Sequence, residues 1–270
     1  MFIGVRTEVD TGNQEIGDFK RDELYGYIAT EYGRLEVGEN DGAADLLAEH
    51  APTVGLGQVR GDFARYTGSI ALLSPFDSRD AFKVSYFSPP VAGVSLGVSY
   101  SPRFAANTDA PDPEDQTLQR NVVEAGVHYV RPVGRWVIAA AGTFVTGNAA
   151  EETNRADIRS WSVGATASRG NWSLGAAFVD RGRSNLRPTA DLEREVNAGV
   201  RWAKGRWAVA ASYAVTLEED ERAHRVGAGV EIDLHRNAYV RADIVGLLDQ
   251  EDGDPNQFGF VALSEIGVRF

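Results

Sequence analysis

Residues 94–100 read VSLGVSY, which places Val94, Leu96, Val98 and Tyr100 on one side of an extended chain and Ser95, Gly97 and Ser99 on the other. Side chains alternate between faces along a strand, whereas a helix would need apolar residues at i, i+3 and i+4, so this stretch is a two-faced β-strand. The alternation recurs in WSVGATAS at 161–168, where Trp161, Val163, Ala165 and Ala167 oppose Ser162, Gly164, Thr166 and Ser168. It recurs again in WSLGAAF at 172–178, with Trp172, Leu174, Ala176 and Phe178 opposite Ser173, Gly175 and Ala177.

Followed along the whole chain, the same period predicts strands near 2–9, 24–32, 34–40, 81–88, 94–101, 120–131 and 135–146. Seven more fall near 158–169, 171–181, 193–203, 206–216, 224–235, 238–248 and 259–270, for a total of fourteen. Their connections alternate in length. Very short turns sit at Gly33, Gly134, Gly170-Asn171, Lys204-Gly205 and Arg236-Asn237, and between them lie long polar stretches such as 103–118, 147–157, 182–191 and 249–258. Short turns on one rim and long loops on the other are the plan of an outer-membrane barrel, an asymmetry that a soluble β-sandwich does not need.

The second face of these strands decides between a dry core and a wet lumen. In RVGAGVEIDLH at 225–235, Val226, Ala228, Val230, Ile232 and Leu234 would face lipid, leaving Arg225, Glu231, Asp233 and His235 on the other side with two glycines. REVNAGVRW at 194–202 turns Glu195, Asn197 and Arg201 inward, and AYVRADI at 238–244 does the same with Arg241 and Asp243. Each unpaired ion in a dry interior would cost several kcal/mol, and a water-filled lumen removes that cost. Aromatic residues mark strand ends as two interfacial girdles would: Trp136, Trp172 and Trp207 follow short turns, while Tyr86, Tyr100, Tyr129 and Tyr213 lie farther along outward faces.

Composition sets the outer bounds. The chain of 270 residues has no cysteine and a formal net charge of −12, which removes thiolate-metal and disulfide chemistry and argues against a nucleic-acid partner. Mean hydropathy is −0.27, and the longest nearly apolar run, Trp136 to Val145, is half of the ~20 residues that a spanning helix needs. Alternating strands dilute the hydropathy signal in this way. No signal peptide is visible at MFIGVRTEV. Because an outer-membrane protein must be exported, and because the chain opens inside a strand-like segment, the expectation is that further sequence precedes Met1.

Three segments resemble the general diffusion porins of Gram-negative bacteria, particularly the alphaproteobacterial branch. LYGYIATEYGRLEVGENDGAADLL at 24–47 is similar to the strand, glycine turn, strand and start of the third loop in that family. SRDAFKVSYFSPPVAGVSLGVSYSP at 78–102 resembles the segment that leaves the loop, and the last strand, Ala262 to Phe270, ends in Phe with Val268, Ile266 and Ser264 at alternate positions, similar to the C-terminal assembly signal. The resemblance implies a 16-stranded homotrimeric barrel, passive passage of ions and small hydrophilic solutes, and a third loop folded inward. Fourteen strands here leave the family's first two unmatched.

The resemblance also implies an eyelet, with loop acids facing wall cations. The loop at 41–80 offers Asp41, Asp45, Glu49 and Asp62, and inward strand positions offer Arg6, Arg34, Lys83, Arg201 and Arg241. Charges opposed across water set up a transverse field, which orients dipolar solutes and sets ion preference. The acidic balance predicts mild cation preference. The alternatives are an outer-membrane barrel enzyme of phospholipase or protease type and a soluble β-protein. The four histidines, His50, His128, His224 and His235, have no catalytic spacing, although His128 in the inward phase could sit near a serine. Calcium is a weaker option at the acidic stretches 147–157 and 249–257, neither of which has the spaced ligands of a helix-loop-helix site; no other cofactor is expected.

Overall fold

The computed structural model describes residues 1–11, 19–54, 75–106, 117–150, 154–184, 186, 188–218, 221–251, 253 and 255–268. Fourteen strands follow one another: β1 (Phe2–Thr11), β2 (Phe19–Thr30), β3 (Gly33–Glu39), β4 (Phe82–Phe87), β5 (Val94–Ala106), β6 (Thr117–Val133) and β7 (Trp136–Ala149) form the first half. The second half is β8 (Ile158–Arg169), β9 (Trp172–Gly182), β10 (Glu193–Lys204), β11 (Trp207–Leu217), β12 (Glu221–His235), β13 (Ala238–Glu251) and β14 (Gln257–Val268). They make one sheet in strict sequence order, a transmembrane antiparallel β-barrel. One short helix, α1 (Ala43–Leu46), lies between β3 and β4. Among the described residues no helix is long and apolar enough to cross a membrane.

The expected faces are the observed faces. Leu96, Val98 and Tyr100 are 55%, 45% and 43% exposed on the outer surface of β5, while Ser99 between them is 1% exposed on the inner one. Trp136, Trp172 and Trp207 are the first residues of β7, β9 and β11, all outward. Two-residue links precede each of them, with Gly134, Gly170 and Gly205 at φ near +60°, a region open to glycine at little cost.

Several strands run beyond the lengths read from the sequence. β5 continues to Ala106 and β6 starts at Thr117, pairing Arg103 with Arg120 and Phe104 with Gln119. The hydrophobic alternation marks only the lipid-facing part of a strand, whereas backbone hydrogen bonds continue into polar sequence above it. A bulge at Arg120/Val123, with Asn121 at φ +53°, hides the continuity of β6 from a strict two-residue period. The interior is not apolar throughout either: a small cluster of Ala44, Phe104, Val122, Val145 and Ile158, with Phe76 and Ala81 against it, fixes both ends of the β3–β4 connection to the long-loop end of β5–β8.

Candidate pore constriction

After β3 the chain turns inward. Asn40 is held at the turn by its own amide, which donates to Glu36 Oε2 at 2.6 Å. From there the backbone crosses the inner wall strand by strand. Ala43 N donates to Ser99 Oγ on β5 at 2.8 Å, Ala44 N to Glu124 Oε2 on β6 at 3.1 Å, and Ala51 N to Asn197 Oδ1 on β10 at 2.9 Å. The returning limb is bound to the same wall: Phe76 N donates to Ser160 Oγ at 2.8 Å, and Ser78 gives both its N–H and its hydroxyl to Glu124 Oε1 at 3.1 and 2.5 Å. Glu124, 1% exposed, therefore binds both limbs of the connection with one carboxylate.

The acids expected on this loop are spread along it. Asp41 stands with Glu23 of β2 and Asp80 of the returning limb, their carboxylate oxygens within 4.8 Å of one another, spacing that a hard divalent cation could bridge. Asp45 lies on α1, where burial, then the charges of Asp77, Asp41 and Glu124, push its carboxyl up to about 7 against a smaller opposite pull from Lys83. Burial and Glu124 likewise raise Asp77. Glu49 Oε1 lies 2.8 Å from Nε2 of His128 on β6, so that histidine is engaged by the loop. Asp62 lies outside the described residues.

The wall cations occupy three kinds of setting. Lys83 is fully buried, and its ammonium donates to the carbonyls of Asn40 and Arg79, which ties the entry and exit of the connection together. Three arginines pair with carboxylates on the wall itself. Arg34 lies 2.6 Å from Glu36, with its guanidinium 4.4 Å from the Tyr27 ring centroid; Arg6 lies 3.5 Å from Glu23; Arg241 lies 2.5 Å from Glu231 and 3.9 Å from Glu265. Arg201 sits inward on β10 opposite Ser173 and Ala210, half-buried and without an ion pair among the described residues. The structure thus brings Asp45 near Lys83 and Asp41 beside Glu23 and Asp80, but gives Arg6, Arg34 and Arg241 carboxylate neighbours of their own.

Sequence reasoning passed over Glu124, Asn197 and Ser160 as anchors. Their inward phase was legible, but nothing in the local pattern says which inward polar side chain meets loop backbone. Asp77 was inside the stretch read as loop, and only its folding back onto Glu124's side of the lumen gives it weight.

The fold has clear counterparts. A crystal structure of the outer-membrane channel DcaP of Acinetobacter baumannii matches with a TM-score of 0.63 and 12% identity over 99% of this chain and 80% of that one. A trimer form of OmpT, an outer-membrane protein of Vibrio cholerae, matches at 0.56 and 14% over 98% and 86%, and a mutant Rh. blastica porin at 0.57 and 16% over 98% and 83%. A comparison with curated protein sequences finds no match. The sequence pattern of the Gram-negative porins matches residues 3–252. Family and fold together point to a diffusion channel rather than an enzyme and place the protein in the bacterial outer membrane, and the chain belongs to the Gram-negative porin family.

Proposed function

We propose that this protein is a passive, mildly cation-selective channel for ions and small hydrophilic solutes, with the β3–β4 connection as its constriction. The observation that carries this reading is the charge placement. Asp41, Asp45, Glu49, Asp77 and Asp80 stand on the infolded segment, while Arg6, Arg34 and Arg241 have wall carboxylates beside them, which leaves Arg201 alone of the expected wall arginines without an ion pair among the described residues. A paired arginine contributes little field beyond about a Debye length of 8–10 Å, so the loop acids dominate the potential that an ion meets. In planar bilayers with a salt gradient, the parent should show a cation-selective reversal potential, and Asp45→Asn with Glu49→Gln should move it toward zero. An unmoved potential would remove those acids from the constriction; absence of conductance steps in the parent would remove the channel.

The assembly proposed is a homotrimer, supported by the family and by the trimer form recorded for OmpT of Vibrio cholerae. Light scattering of the detergent-solubilised protein should give three times the chain mass of 29.2 kDa. A monomer across detergents would refute it.

A further inference from the structure

On the inner wall beneath the infolded segment, the residues that meet loop backbone are repeatedly glycine. Gly164 of β8 faces the carbonyl of Glu49, Gly175 of β9 that of His50, Gly199 of β10 that of Pro52, and Gly229 of β12 that of Val54. All four are in the inward phase, and Gly175 and Gly199 are direct cross-strand partners. A methyl group added at Gly164 or Gly229 would overlap the facing carbonyl oxygen; at Gly175 it would stand 2.9 Å from His50 O and 2.8 Å from Thr166 Cγ2 of β8, and at Gly199 3.1 Å from both Pro52 O and Ala211 O of β11. At Gly164 and Gly229 the overlapped atoms are segment backbone, which cannot rotate aside as a side chain does, so the segment itself would have to move; at Gly175 and Gly199 the wall and the segment share the crowding, so the segment moves less.

Chain length makes this contact stringent. From Leu47, which packs on Gly126 of β6, to Val54 on Gly229 of β12, seven peptide units span at most about 25 Å. The six strand spacings they cross amount to about 29 Å along the wall, shortened because the segment takes the inside of the curve. Seven peptide units laid across six strand spacings leave the segment little length with which to arch over a side chain.

We propose that Gly164, Gly175, Gly199 and Gly229 form a bare track that sets how close the constriction segment lies to the β8–β12 wall, and hence the width of the passage beside it. They are positioning residues: they touch no solute, and they act through the loop carbonyls. The conductance part of this statement rests on the channel reading above, whereas the position of the loop does not. Gly142 of β7 is the internal control, because it is a strand glycine whose added methyl would find its nearest neighbours at 3.9 Å, on the outward face.

The chain has no native cysteine, so Thr53→Cys supplies a single thiol on the segment. Its labelling rate with a small cationic methanethiosulfonate should rise in the order of overlap: least with Gly199→Ala, more with Gly175→Ala, and severalfold with Gly164→Ala or Gly229→Ala. Gly142→Ala should leave it at the parent rate, and heat-modifiable gel migration confirms folded barrels. If the two severe variants do not fold, Gly199→Ala against Gly142→Ala still decides, because its methyl needs a shift of only tenths of an ångström. In bilayers, step conductance should change in the same order. Equal labelling rates in track variants and control overturn the track; a parent with no steps but ordered labelling rates overturns only the channel reading.

Discussion

Replacing Glu124 by Ala is expected to unseat the constriction segment and to raise step conductance severalfold. One carboxylate accepts from Ala44 N, Ser78 N and Ser78 Oγ, so the substitution leaves two buried backbone donors and one buried hydroxyl without acceptors. Each buried donor left unpaired costs about 1–3 kcal/mol, and the sum exceeds what a single loop contact returns. The cheapest relief is for both limbs to move into the lumen and take water as partner. Glu124→Gln, which keeps one carbonyl acceptor, should fall between parent and Glu124→Ala. Step conductance in bilayers and the size limit for sugars in a liposome swelling assay measure the effect. A Glu124→Ala channel with parental conductance and size limit would show that the remaining contacts, among them Ser99, Ser160, Asn197 and Lys83, hold the segment without Glu124.

Lowering the pH from about 8 to about 5 should weaken cation preference and strengthen seating of the loop. Burial first, and then Asp77, Asp41 and Glu124, raise the Asp45 carboxyl from 3.8 to about 7, so it is charged at the upper pH and neutral at the lower. Between those two values the folded protein holds a proton that the unfolded chain does not. Stability therefore rises as pH falls from about 7 toward about 4, and the gain is lost as pH rises through the folded value. The selectivity change follows from the same proton, because a neutral Asp45 no longer attracts cations. Reversal potential and the midpoint of heat-modifiability, each measured at both pH values, test the two halves. Asp45→Asn should flatten both curves, leaving a smaller slope from Asp77, whose carboxyl is also raised. A parent whose reversal potential is the same at both pH values would place Asp45 away from the ion path.

These two results turn on contacts of a kind that local sequence does not encode. By itself, the sequence determined the number of strands, their order, the face each presents to lipid, the two unlike rims and the long connection after β3. Each of these depends on neighbours one or two residues apart: Val94, Leu96 and Val98 against Gly97 and Ser99, or Gly134 before Trp136. A strand's period and a tight turn's need for positive φ are local constraints, so they are written locally. The ends of β5, β6, β12 and β13 escaped because backbone pairing outlasts the apolar pattern that reveals it.

Only the tertiary structure decided what the inward residues do. Glu49 and His128 are 79 positions apart and Ala51 and Asn197 146 apart, and whether such residues meet depends on strand register, on the stagger between strands and on the course of the infolded segment across them. Inward phase allowed Lys83 and Arg241 the same role on paper. In the fold, one is buried as a tie between two loop carbonyls and the other is paired beside Tyr239 on the wall. The glycines of β8, β9, β10 and β12 were legible as inward and small, yet their meaning lies in the carbonyl oxygens laid against them. A hydrogen-bond partner or a close approach is chosen by distance in space, and a barrel brings to one lumen residues that the chain keeps far apart.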